Sequence, residues 1–381
     1  MKFGFICMLF AVAVSAGGLE PEVLWNASFP GCVGSVIWNA SEDYSGGYVA
    51  VGEVCSGVSG EIALNICRVD SDGLVIWENT ALNLGNASAY SIERTTDGFV
   101  LCGVCSDSSG KHGLVMKIDS DGNTVWTTMI DHGNDDVLYD LCSGTDGRIT
   151  AVGYSLNDQT HDNDILAACL SDSGQVLWQK TFVYPEYQTA HSIVFSADSS
   201  QGFVITGSDN SDVFLMKIDN EGNWLWKSNH FMEGMQSGSD VALLSEGGYI
   251  VAGSTRGSSS YSDALLVFFD WEGKVTNEFV WGTDGPDNAS AIQEILPAGF
   301  VVVVNSNEGT GEGYRPYIFR FDPWLSIIWS VAVSNRDAFC YSLAQTLDGG
   351  FIITGKKSTE EGTGYSSCVV RLSGEDLLNL N

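Results

Sequence analysis

One phrase recurs seven times in this chain, and any fold it adopts must accommodate every copy. The phrase is a glycine, an apolar strand-forming run, and usually a second glycine. It reads GYVAVG at 47–52, GFVLCG at 98–103, GRITAVG at 147–153, GFVITG at 202–207, GYIVAG at 248–253, GFVVVVN at 299–305 and GFIITG at 350–355. The starting glycines stand 51, 49, 55, 46, 51 and 51 residues apart. A fixed period of this length marks a repeat architecture, in which each unit buries its apolar face against its neighbours.

A second phrase follows the first by roughly twenty residues: an acidic turn leading to a Trp-bearing strand. The pairs are DSDG at 70–73 with Trp77, DSDG at 119–122 with Trp126, SDSG at 171–174 with Trp178, and DNEG at 219–222 with Trp226. The fifth turn, DWEG at 270–273, has Asn277 where Trp is expected. The sixth, DPWL at 322–325, loses its glycine but keeps Trp329.

Together the phrases divide a repeat into four strands, illustrated by residues 89–94, 99–104, 113–118 and 124–128, with a longer link between the second and third. Asp-Gly pairs suit tight hairpins because glycine takes positive φ without strain. Four short antiparallel strands repeated seven times give the expected fold: all-β, a seven-bladed β-propeller of four-stranded antiparallel blades. The seventh repeat runs out after RLSG at 371–374 without its Trp strand, and VLWN at 23–26 matches VIWE at 75–78. Trp25 and Trp77 are 52 residues apart, in step with the other Trp spacings. The N-terminal strand is therefore expected to complete the last blade and close the ring, hiding two sheet edges at once. The recurring Trp25, Trp77, Trp126, Trp178, Trp226 and Trp329 are read as structural, packed between blades.

The repeat resembles that of secreted microbial seven-bladed β-propeller proteins, whose units carry a DGG-Y-I-V-A-G phrase and then a D-x-x-G-N-x-x-W phrase. The resemblance is at the level of the repeat and spans nearly all of residues 17–381. It implies binding roles outside the cell or at its surface, and brings no catalytic residues with it.

Localisation reads the same way from the N-terminus. Lys2, an apolar run from Phe3 to Val14 and the small residues VSA at 14–16 suggest a signal peptide over 1–16, followed by one propeller domain over 17–381. Removing Cys7 leaves nine cysteines, at 32, 55, 67, 102, 105, 142, 169, 340 and 368, so at least one thiol is unpaired. The CxxC at 102–105 lies in a strand run with no helix start to lower a thiol pKa. Four N-A-S sequons occur, at Asn26, Asn39, Asn86 and Asn288.

Charge limits the partners. With 48 acidic against 17 basic residues, the formal net charge is −31, and no Lys/Arg cluster interrupts it. Nucleic acid and anionic membrane surfaces would need the opposite sign. The DSDG turns lack the further oxygen ligands of an EF-hand, because Leu74, Val75 and Ile76 follow the first of them. Histidines 112, 132, 161, 191 and 230 show no metal-ligand spacing and read as loop positions for the most part. No catalytic residue and no cofactor is assigned.

Loop variation is the remaining signal. Links between second and third strands and between blades share one face, and stretches 157–163, 256–262 and 307–315 differ in length and chemistry. Binding usually sits on such a face. Its candidate ligand residues are Tyr184, Tyr187, Tyr261, Trp281, Tyr314 and Tyr365, amid Asp136, Asp240, Asp287 and Asp337. The expected partner is an extracellular protein or glycan. The alternatives are a secreted hydrolase or lyase acting on polysaccharide, with acids near the central channel, and an acidic cation-holding coat protein.

Overall fold

The computed structural model describes residues 21–28, 35–55, 61–81, 84–132, 135–196, 201–257, 261–295, 299–309, 311–334, 337–359 and 364–374. The expected signal peptide and Cys32 lie outside these residues. Seven four-stranded antiparallel sheets are arranged in a ring. No helix among the described residues is long and apolar enough to cross a membrane.

Blade 1 comprises Val36–Glu42, Tyr48–Cys55, Ile62–Val69 and Val75–Ala81. The innermost strands of blades 2 to 7 are Asn86–Thr95, Asp136–Ser143, Gln188–Ser196, Met235–Leu243, Asp287–Glu294 and Ala338–Gln345. Second and third strands are the most apolar and pack face to face between blades. In one such interface Val51 and Leu64 of blade 1 meet Ala89, Leu101 and Leu114 of blade 2, all of them buried. The link between second and third strands in blade 2 is shorter than expected: Gly98–Asp107 and Gly110–Ile118 leave only two residues between them.

Val23–Ser28 is the outermost strand of blade 7, antiparallel to Tyr365–Leu372, with Asn26 opposite Val370 and Ser28 opposite Cys368. Trp25 then does what Trp126 and Trp178 do. Its indole N–H donates to the Ser71 carbonyl (2.7 Å) in the Asp-Gly turn of the following blade, as Trp126 does to Asp172 and Trp178 to Asn220 (3.0 Å each). The ring covers that turn's glycine so closely that a Cβ on Gly73 or Gly174 would lie 2.6 Å from Trp25 or Trp126. These glycines have φ near +80°, a second reason for the residue type. Where blade 5 lacks the Trp, having Asn277, the next turn lacks the glycine, and Leu325 takes the same positive φ of 68°. The two phrases act as one interlock, and at this junction both are missing.

The tight-turn face is fastened by basic side chains in one repeat register, the penultimate residue of the third strand: Arg68, Lys117, Lys217, Arg320 and Arg371. All but the half-buried Arg68 are buried. Lys117 reaches Asp97 (2.9 Å) and Asp172 (2.6 Å), Arg68 reaches Asp43 (2.7 Å), and Arg371 reaches Asp348 (2.6 Å) and the Tyr48 hydroxyl (2.8 Å). Five of 17 basic residues are thereby turned inward, which leaves the solvent face still more acidic.

Candidate functional site: the central channel and its loop face

Every innermost strand carries a one-residue bulge against its neighbour. The extra residues are Trp38, Tyr90, Tyr139, His191, Ser239, Ser290 and Tyr341. A bulge re-aims a side chain, and here all seven line one central cavity of about 700 Å³. The repeat's second glycine exists for this bulge. A Cβ on Gly52, Gly103 or Gly153 would stand 1.9 Å from the carbonyl oxygen of Val36, Ser88 or Val137.

The bulged residues divide the channel into two kinds of wall. Blades 7, 1, 2 and 3 supply a contiguous aromatic belt. Ring centroids are 4.2 Å apart for Tyr341 and Trp38, 5.4 Å for Trp38 and Tyr90, and 5.3 Å for Tyr90 and Tyr139. The belt climbs to the loop face through Phe339 and Tyr314, at 5.1 and 5.3 Å. Blades 5 and 6 supply small polar groups instead: Ser237, Ser239, Asn288 and Ser290.

Beside the bulges runs a closed ring of polar seams. Asn39 donates to Ser91 (3.5 Å), Ser91 to Asp140 (2.7 Å), and the Ile193 amide to Asp140 (2.9 Å). Ser192 donates to Asp240 and the Ile292 amide does the same, both at 2.8 Å. The Asn305 amide donates to the Cys340 carbonyl (2.9 Å), and Thr354 to the Trp38 carbonyl (3.0 Å). All seven blade junctions are bridged in this way.

His191 belongs to the same wall. Its Nδ1 lies 2.7 Å from the Gly238 carbonyl, so Nδ1 carries the proton, and burial holds the ring's pKa below its ordinary value. The neutral ring keeps Nε2 as an acceptor. Two buried polar atoms on cavity-lining residues, Trp38 Nε1 and Asn288 Oδ1, have no protein partner.

The sequence-derived candidates separate into three groups. Tyr187 and Tyr261 are exposed on the loop face, at 60% and 52%. Tyr184 lies under Lys227 (3.7 Å to the ring centroid), and Tyr365 donates to Asp337 (2.7 Å), which also accepts from the Tyr314 amide (2.8 Å). Trp281 ends its strand half-buried against Phe319, at 5.1 Å. Asp136 and Asp287 are fully buried and hold loops, accepting from the amides of His132 (2.6 Å) and Thr283 (2.5 Å). They are loop clamps, not ligand-face acids. Asp240 is not on a loop: it sits mid-strand at the channel, one residue past the bulge.

Histidines too are less loop-like than expected. His112 and His230 are buried in or at the end of strands, and His191 lines the channel. Among the described residues no group of three or more His, Cys, Asp or Glu is placed to hold a metal ion. The eight described cysteines are free thiols, and burial raises the pKa of both Cys102 and Cys105. Of the sequons, Asn39 and Asn288 line the channel, whereas Asn26 and Asn86 are exposed.

Burial pushes the Asp240 carboxyl from 3.8 up to about 6, against the opposing bond from Ile292 and with the Asp140 charge adding to the rise. Asp136, Asp140, Asp164, Asp212, Asp263 and Asp287 are raised by burial in the same direction. A carboxyl whose folded-state pKa is raised holds its proton more tightly when folded, so ionising it costs native stability. Asp97 and Asp119, held low by bonds from Lys117 and Asn123, act oppositely and lose their contribution below 3.8. On these groups the melting temperature is therefore expected to be highest near pH 3.8 and to fall as the pH rises through about 6. A thermal melt series across pH 3 to 9 checks this, and a maximum at pH 8 would contradict it.

Seven four-stranded blades around a lined channel define a seven-bladed β-propeller. No family model and no curated relative matches the chain. Among solved structures it is similar to the WD40 domain of Pan2 from Neurospora crassa, at 9% identity and a TM-score of 0.56, covering 92% of this chain and 95% of that one. It is similar also to Sqt1 from Chaetomium thermophilum, at 10% identity and a TM-score of 0.53, covering 94% and 100%. A third is the α-L-arabinofuranosidase Arb93A from Fusarium graminearum, at 14% identity and a TM-score of 0.51, covering 93% and 98%. At such identities the likeness is one of fold, and fold alone does not assign function.

Proposed function

We propose that this chain is a secreted or cell-surface binding propeller, which recognises an extracellular protein or glycan through its variable-loop face. One observation carries the reading: the aromatic belt that opens onto that face at Tyr314 and continues inward to Tyr139. The opposite face is given over to tight turns and inward-pointing ion pairs. Aromatic side chains with a polar handle suit recognition of ligands that are apolar in one part and wet in another.

A polysaccharide hydrolase is the second reading, favoured by the two carboxylates at the channel. Their bonding weighs against it. Asp140 and Asp240 each accept from backbone amides and serines of neighbouring blades, so both are joints of the ring. Pull-down from the organism's own medium and cell-surface extracts tests the binding reading. The parent should retain a partner that a Tyr187→Ala, Tyr261→Ala, Tyr314→Ala variant releases. Equal retention by both would move the working surface elsewhere, and turnover of a polysaccharide would favour the hydrolase.

A further inference from the structure

We propose that the channel is a saccharide site, in which an uncharged sugar ring lies against Trp38, Tyr90 and Tyr341 and turns its hydroxyls to Ser239, Asn288 and His191. The inference rests on the binding reading above and gives its ligand a chemical class.

A pyranose is apolar across its C–H face and hydrogen-bonding around its rim. The channel has the same division, with aromatic rings on four consecutive blades and hydroxyl, amide and imidazole groups on the others. Its volume of about 700 Å³ falls within the range of small-molecule sites. Along the polar wall Ser237, Ser239 and Asn288 bring hydroxyl and amide groups to the cavity, and His191 keeps Nε2 as an acceptor.

Charge narrows the class further. No Lys or Arg lines the cavity, and Asp140 and Asp240 do. A uronate, sulfated or phosphorylated sugar would bring like charge into a poorly hydrated site. An organic cation is the rival guest, but both carboxylates are bonded into the blade junctions. The cationic position at the belt's rim is already held by Lys356, 5.8 Å from the Tyr341 ring and 5.0 Å from that of Tyr365.

Calorimetry with the purified chain would use neutral glucan, mannan and galactan oligosaccharides beside a hexuronate and a glucosamine oligomer. At least one neutral oligomer should bind, the hexuronate should not, and Tyr341→Ala should weaken binding about tenfold. Ser239→Phe sets a ring in the cavity where the sugar's hydroxyls would lie, and should weaken binding at least about tenfold while the melting temperature is kept. Trp324→Ala, which removes an exposed ring from the opposite, tight-turn face, should leave saccharide binding unchanged. Absence of binding by any neutral oligomer to the folded parent overturns the proposal, as does indifference to Ser239→Phe. Preference for the glucosamine oligomer would make the site one for cations. If Ser239→Phe still captures a partner from extracts, the saccharide site falls and the loop-face reading stands.

Discussion

A chain that begins after residue 29 should melt roughly 5 °C below the parent, corresponding to a loss of about 4 kcal/mol. The missing strand removes the pairing from Val23↔Leu372 to Ser28↔Cys368 and uncovers the last blade's edge. It also takes away buried Ala27 and the Trp25 ring that covers the Gly73 turn of blade 1. Outside the strand, the Ser373 hydroxyl loses the bond it accepts from the Glu22 amide (2.8 Å). Differential scanning calorimetry reads the shift. Adding a peptide of residues 17–29 should recover part of it in a concentration-dependent way. An unchanged melting temperature would mean that the ring does not depend on this strand.

The second large effect belongs to a single methyl group. Gly153→Ala places a carbon 1.9 Å from the Val137 carbonyl oxygen, backbone against backbone, in the middle of blade 3. Either the bulge at Tyr139 flattens or the strands part, at a cost on the order of 3 kcal/mol. Gly147→Ala is the matched control. It has positive φ (+77°) but open space around its Cβ, so its cost is about 1 kcal/mol of backbone strain. Urea unfolding should separate the two clearly, and equal midpoints would remove the bulge from its supporting role. Blade 6 departs from this pattern, with Val304 at the paired position, and its side chain lines a small apolar cavity beside Val302 and Phe319.

The architecture was legible because its signals are local and repeat in phase. Asp-Gly turns, apolar runs and Trp25 in register with Trp77 each carry their own chemistry, and the structure bears out seven blades and the closing strand. The channel was illegible for a physical reason. A bulge shifts the in–out alternation of the strand by one, so Tyr90, Tyr139 and Tyr341 do not stand out as inward-facing by period-two counting. Aligning the seven inner strands would have revealed the column, because Trp38-Asn39, Tyr90-Ser91, Tyr139-Asp140, His191-Ser192 and Tyr341-Ser342 all pair a ring with a short polar residue. Asp136 and Asp287 misled for the opposite reason. An acid between a loop and a strand reads as solvated in one dimension, yet both side chains turn back to hold the loop's amides.

The closing strand also dictates an order of events. Glu22 and Ser373 touch across 351 positions of chain, so the strand made early waits for its partner made much later. Blades 1 to 6 can each pair their four strands from nearby sequence, whereas blade 7 cannot. Completing blade 7 requires an encounter between two segments far apart in the chain, slowed by the entropy of closing so long a loop. Until that encounter, a synthesised but unclosed molecule carries a bare edge along Tyr365–Leu372, open to any other strand in its surroundings.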